Sequence, residues 1–325
     1  MSSTADAPAM TTLPGSLLLF RFRDIPVFVH WSWGVVALLV VAYRASAYGS
    51  VVYNLFEYVG LFTVVLMHEF GHALACRSVG GTVSHILLWP LGGVAHVRPP
   101  QRPGAVLWSI AAGPLVNLML APIAIGASLI VPESFGDLRM VLYVVAVINV
   151  GLFVFNMLPV YPLDGGQILR SLLWFVIGRE RSLVITAGLG LVLACLGAAW
   201  ALDFGVVGSE EWSPDVWLAL VAAYAAYHSW RGLRAARTLL RLAAGPRHRL
   251  AQCPSCGEAP PAGLVFRCDN GHLYDAFVTQ GTCPECGLRI GRIQCIFCAQ
   301  DHAPEGYAVE RPIGFGPPAA PGSYS

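Results

Sequence analysis

The sequence predicts an α-helical, polytopic membrane protein that ends in a small zinc-stabilised module, and three observations carry that expectation. Hydrophobic residues make up 56% of the 325 and charged residues only 12%, against about a quarter charged in ordinary globular domains. Six apolar runs approach the roughly 20 residues that a helix needs to cross the hydrocarbon core. Seven of the nine cysteines fall in one stretch, from Cys253 to Cys298.

The apolar runs cover residues 26–46, 54–77, 105–131, 139–161, 183–203 and 213–232, which predicts six transmembrane helices in a domain spanning 26–232. Residues 1–25 are polar and then mixed, with LLLF as their only apolar patch and no tidy cleavage site behind it, so the first run reads as a retained anchor. Every basic residue is an arginine, and the arginines are unevenly placed. Arg21 and Arg23 precede the first run; Arg77, Arg98 and Arg102 follow the second; Arg170, Arg179 and Arg181 follow the fourth; Arg231, Arg234, Arg237 and Arg241 follow the sixth. The opposite loops hold Arg44, Arg139 and an acidic group, Asp203, Glu210, Glu211 and Asp215. The positive-inside rule then predicts both termini in the cytoplasm, the expected location being a prokaryotic plasma membrane. A formal net charge of +1 gives no general attraction to nucleic acid.

The second run ends in LMHEFGHALACR, which holds H-E-x-x-H on a segment whose apolar flanks predict a helix. His68 and His72, four residues apart, lie about 6 Å apart along one helix face. That spacing lets both imidazoles hold one zinc, while Glu69 beside the first can take the proton of an attacking water. Solvent-facing side chains on an amphipathic helix would be the ordinary explanation of such a pattern. Inside an apolar run, three ionisable groups are expensive and mark a functional interior site.

A catalytic zinc takes three protein ligands and keeps one open position. The fourth run leads into FNMLPVYPLDGGQILR, where Asp164 is the only carboxylate. Its prolines stop or kink a helix, and Gly165 and Gly166 predict a sharp turn. Asp164 reads either as the third ligand or as the cap of a following helix.

HEFGH in one apolar run and NMLPVYPLDGG in a later one together resemble the site-2 protease family of intramembrane zinc metalloproteases. GGTVSHILLWPLGGVAHV resembles the family's short membrane-associated β region after the H-E-x-x-H helix, AAGPLVN its G-P-x-x-N helix start, and IPVFVHWSW its opening helix. The resemblance covers about residues 20–232. It implies His68, His72 and Asp164 as zinc ligands, Glu69 as general base, and Asn156 in the cavity, bonding the substrate backbone or the oxyanion. An interhelical hydrogen bond is the competing role for Asn156, and it suits Asn117 and Asn149 equally. The implied substrate is a single-pass membrane protein whose helix must unwind before a peptide bond is reached; pairing with a strand edge would hold it extended. Pro90 to Val94 is the candidate edge, with Gly92, Gly93 and Val94 as substrate-binding residues. One departure from the family follows: residues 99–112 read PPQRPGAVLWSIAA, without the acidic residue often found before G-P-x-x-N.

Beyond an Arg-rich linker at 233–250, residues 251–302 hold four pairs of soft ligands: Cys253 and Cys256, Cys268 and His272, Cys283 and Cys286, Cys295 and Cys298. Lasting disulfides are disfavoured in the cytoplasm, and eight ligands suffice for two tetrahedral structural zinc sites. The CPxCG turns resemble zinc-ribbon knuckles, and the order resembles a RING-like cross-brace, in which pairs one and three share one zinc and pairs two and four the other; His302 is a spare ligand. Arg267, Arg289 and Arg292 among several acids make a poor nucleic-acid footprint, leaving a cytoplasmic protein as the expected partner. Residues 303–325, rich in Pro, Gly and Ser, predict a flexible tail. A non-proteolytic membrane scaffold would be the alternative if H-E-x-x-H or Asp164 were damaged, and both are intact. A metal transporter would need ligands at several depths along a path.

Overall fold

A computed structural model describes residues 13–89, 92–203, 216–249, 251–298 and 300–307. The chain divides into two compact units, Met1–Arg237 and Thr238–Ser325.

The first unit opens with strands β1 (Ser16–Phe22) and β2 (Ile25–His30), then helices α1 (Ser32–Tyr43) and α2 (Val51–Ser78). A hairpin of β3 (Thr82–Trp89) and β4 (Gly92–Arg98) follows, and then α3 (Pro103–Ile130), α4 (Gly136–Asn156), α5 (Asp164–Ile177), α6 (Arg179–Asp203) and α7 (Val216–Ala244). The four strands form one sheet in the order β1-β2-β3-β4. β2 runs parallel to β3, with Val27 opposite Ile86, while the outer pairs are antiparallel. Ile25, Val27, Ile86 and Leu88 are fully buried and pack with Val65 and Ala73 of α2, so the β-branched residues of the central strands join sheet to helix. β4 is an edge strand, as the sequence predicts for Gly92 to Val94; Pro90 and Leu91 of the expected edge lie outside the described residues.

Among the described residues, four helices are long and apolar enough to cross a membrane: α2, α3, α4 with the turn before it, and α6. They match the expected runs 54–77, 105–131, 139–161 and 183–203. The expected first span does not form as one helix. Its start, IPVFVH, is the alternating, β-branched β2, and the 12-residue α1 is about 18 Å long, short of the roughly 30 Å core. The sixth run begins within 213–215, outside the described residues, and continues into α7, whose 29 residues include Arg231, Arg234, Arg237 and Arg241. α5 is the following helix that the cap reading of Asp164 allowed, although Leu163 takes the cap position and Asp164 is its first residue. Gly165 and Gly166 sit inside its first turn and do not supply a sharp bend. They are small because a Cβ on either would lie 2.3 Å from the Met157 carbonyl oxygen or 2.6 Å from the Tyr161 nitrogen.

The far end of α2 is held by polar groups. Ser50 caps it by accepting from the Val52 N–H. Glu57, 4% exposed, is paired with Arg44 at 2.7 Å and accepts the Tyr48 hydroxyl. Asn54 Nδ2 donates to the Val41 carbonyl.

The second unit has two short hairpins, β5 (Phe266–Arg267) with β6 (Leu273–Tyr274) and β7 (Ile293–Gln294) with β8 (Asp301–His302). Its core consists of Tyr274, Ala276, Ile293, Tyr307 and four of the cysteines. So few apolar side chains make a metal-dependent fold the physical expectation.

Candidate active site and cysteine-rich metal centres

His68, Glu69 and His72 lie on the C-terminal half of α2, each no more than 6% exposed. The turn after α4 brings Asp164, first residue of α5, against them. His68 Nε2 lies 3.1 Å from His72 Nε2, and Asp164 Oδ2 lies 3.1 Å and 3.3 Å from the two. Two ligand atoms at a tetrahedral angle about a metal 2.0–2.1 Å away stand about 3.3 Å apart. The triangle therefore has the dimensions of a zinc face.

The chemistry of the donors agrees. His72 Nδ1 is 2.9 Å from the Ser109 backbone carbonyl, and His68 Nδ1 is 3.0 Å from the Asn117 side-chain oxygen. Carbonyl oxygens only accept, so both Nδ1 atoms carry protons, and in its neutral form each ring turns a bare Nε2 lone pair toward the other and a carboxylate. Three acceptors converging in a buried space fit a cation.

Glu69 does not join the triangle. Its Oε2 accepts the Ala95 N–H of β4 at 2.8 Å, which fastens the carboxylate to the edge strand. Gly93 comes so near that a Cβ there would stand 2.3 Å from Glu69 Cγ. Gly93 thus makes room for Glu69, a packing role in addition to the expected one; Val94 on the same strand is exposed. Gly113 of α3 makes the matching approach to His72, where a Cβ would lie 2.3 Å from Nε2. Asn156, the last residue of α4, is half-buried and has no hydrogen-bond partner among the described residues. Asn117 and Asn149, both fully buried, are linked by an Asn149 Nδ2 bond to the Asn117 carbonyl at 2.8 Å. Sequence reasoning missed the part played by Asn117 because G-P-x-x-N does not reveal which helix faces it.

In the second unit the ligands form two groups, Cys253, Cys256, Cys295 and Cys298, and Cys268, His272, Cys283 and Cys286. Pairs one and four meet, as do pairs two and three, so the expected cross-brace is replaced by a nested arrangement. The reason is local. Cys268 and His272 flank the β5–β6 turn, where the Cys268 N–H donates to the His272 carbonyl, and the next knuckle downstream reaches that hairpin directly. The outer pairs then close the module around it. Sγ–Sγ distances of 3.6 Å, 3.7 Å and 3.8 Å match the roughly 3.8 Å tetrahedral edge set by a 2.3 Å zinc–sulfur bond. His272 joins through Nδ1, at 3.6 Å and 3.8 Å from Cys268 and Cys283, and its Nε2 faces Glu285 at 3.4 Å. His302 is not a member; its Nε2 contacts the Ser255 hydroxyl.

An apolar helical bundle thus encloses a two-His, one-carboxylate cluster able to hold a metal ion, with a glutamate adjacent to it. The family model of Peptidase family M50 matches residues 56–135 and 133–196, the segment that holds His68, Glu69, His72 and Asp164. A zinc metalloprotease of Methanocaldococcus jannaschii is 32% identical over 185 residues, 56% of this chain and 52% of the relative. Rip3 of Mycobacterium tuberculosis is 33% identical over 226 residues, 62% of this chain and 55% of Rip3. The chain thus spans about half the length of the curated relatives it matches. The solved site-2 protease from Methanocaldococcus jannaschii is similar at 28% identity with a TM-score of 0.48, covering 67% of this chain and 95% of that one.

Proposed function

We propose that this protein is an intramembrane zinc endopeptidase that hydrolyses a peptide bond in or near the transmembrane segment of a single-pass, membrane-tethered substrate. The observation that carries the reading is the buried triangle of His68, His72 and Asp164, with Glu69 beside it and outside it. His68, His72 and Asp164 would hold the metal, which when bound supplies Lewis-acid polarisation and lowers the pKa of water.

The chain's own groups do the rest. Glu69, spared from ligation, accepts the proton of the attacking water and returns it to the leaving amine. The Ala95 N–H holds its carboxylate in place, so a peptide paired along β4 through Gly92, Gly93 and Val94 is delivered next to the base. Asn156 is the proposed side-chain donor to the substrate backbone or oxyanion. Residues 26–232 are the proposed protease domain and 233–250 the linker to the module expected at 251–302, which extends to Tyr307 because that side chain packs in its core. The module holds two structural zincs and docks a cytoplasmic protein partner. The arginines near the site, Arg77 in the last turn of α2 and Arg98 at the end of β4 among them, face the cytoplasm in this reading.

The test is cleavage of a panel of single-span substrates by detergent-purified protein, with zinc content measured alongside. Wild type is expected to cleave, Glu69→Gln to keep its zinc and lose activity, and Asp164→Ala to lose the membrane-site zinc. Wild type that carries only cysteine-bound zinc would leave the non-proteolytic scaffold in its place.

A further inference from the structure

We infer that Asn117 is a positioning residue that fixes the ring and tautomer of His68, and that the segment Gly113–Asn117 is built as the outer support of the two histidines. The inference rests on the proposed metal role of His68 and His72. α2 and α3 run against each other so that His72 meets Ser109 and Gly113 while His68 meets Asn117. The two histidines are four residues apart, and so are Gly113 and Asn117. One turn of α3 therefore serves one turn of α2. Gly113 removes the side chain that would strike the His72 ring and lets a backbone carbonyl serve as its acceptor. One turn on, the acceptor for His68 is an amide side chain.

Asn117 is fully buried, and its side chain makes a single hydrogen bond among the described residues, to His68 Nδ1; its Nδ2 has no partner there. A residue present to tie helices together would use its donor. Asn149 of α4 holds the Asn117 backbone by donating to its carbonyl. Orientation also matters at the atomic level. With Oδ1 accepting from Nδ1–H, His68 offers a bare Nε2; with the amide reversed, Nδ1 would accept and Nε2 would carry the proton, which is incompatible with ligation.

The test uses the purified full-length protein and two near-isosteric substitutions, Asn117→Leu, which removes the acceptor, and Asn117→Asp, which keeps it. Zinc is titrated away with a competing chelator, and the membrane-site ion is followed apart from the cysteine-bound ions in a parallel Asp164→Ala sample. Asn117→Leu is expected to weaken the membrane-site zinc by about 10–100-fold, the range for removing such partners. Asn117→Asp is expected to bind zinc at least as tightly as wild type, because a carboxylate is the stronger acceptor. Helix content and the cysteine-bound zinc report folding. A folded Asn117→Leu with wild-type affinity overturns the inference. So does a folded Asn117→Asp that is at least 10-fold weaker, which would make the amide a packing element and which decides the matter even if Asn117→Leu does not fold. Absence of membrane-site zinc from wild type would instead fell the metalloprotease reading on which this one stands.

Discussion

Gly113→Ala tests whether the architecture around His72 is as tight as its geometry implies. The added Cβ would lie 2.3 Å from His72 Nε2 and 2.4 Å from Cε1, whereas ordinary contact begins at 3.4 Å, so ring and helix must separate by about 1 Å. Ligand distances in a metal site tolerate about 0.2 Å. His72 also cannot swing freely, because its Nδ1 is held by the Ser109 carbonyl at 2.9 Å. The expected result is loss of the membrane-site zinc together with a fall of at least about 10²-fold in turnover, the scale of a 1 Å misplacement. The overpacking itself costs about 1–3 kcal/mol of stability. Gly126→Ala is the control on the same helix, since nothing lies within 4 Å of its Cβ; it is expected to leave activity unchanged. The assay is zinc retention against a chelator beside cleavage of a model substrate. Gly113→Ala protein that retains zinc and cleaves within two-fold of wild type would refute the argument.

Gly93→Ala presses first on Glu69, whose Cγ, Cδ and Oε1 are the three atoms nearest the added Cβ, so zinc should be kept while turnover falls by about 10²-fold; equal loss of zinc would show that the two sets are not separable. The nested pairing predicts non-additive zinc loss: Cys256→Ser with Cys295→Ser should release one ion, and Cys256→Ser with Cys283→Ser two, as counted by a colorimetric zinc assay. His85 of β3 stacks on His96 of β4 with ring centroids 4.0 Å apart, and burial, then the His96 charge, push its pKa below the usual histidine value. The unfolded strand therefore binds protons first on acidification, so sheet stability is full above about pH 6.5 and declines below it. Hydrogen exchange of β3 and β4 amides should accelerate there in wild type and less in His85→Phe. Glu57→Gln should lower thermal stability by about 1–3 kcal/mol by breaking the charged bond to Arg44, with zinc affinity unchanged.

What could be read beforehand follows from how local each signal is. Apolar length announces α2, α3, α4 and α6 because a span must satisfy its own backbone. The same signal misread residues 26–46, since hydropathy does not distinguish a buried strand followed by a short helix from one long helix. The alternation of IPVFVH was visible, but only the pairing of Val27 with Ile86, about 60 residues on in sequence, makes it a central strand. The start of α5 stayed open because Asp164 reads as a ligand or as a helix cap; its beginning depends on Gly165 and Gly166 passing beneath the Met157–Tyr161 turn. In the cysteine-rich unit, ligand identity is a composition signal, whereas pairing is decided by hairpin geometry. A run of four pairs is compatible with either order.

The same distinction explains why G-P-x-x-N was legible as a motif and not as a mechanism. A helix bearing H-E-x-x-H supplies two rings, but nothing within that helix accepts their Nδ1 protons: α2 consumes its own carbonyls, and Glu69 is tied to the Ala95 N–H. Both acceptors come from α3, at Ser109 and Asn117, and the proposed third ligand, Asp164, comes from α5. Glu69, the proposed general base, is held by yet another element, through the Ala95 N–H of β4. Each donor and acceptor of the centre is thus assigned by a separate piece of the fold, and the bare Nε2 lone pairs persist only while α3 stays seated on α2. Placing H-E-x-x-H on another apolar helix would reproduce the spacing of the rings without their tautomers, and such a helix is expected to bind zinc weakly until a facing helix supplies acceptors one turn apart.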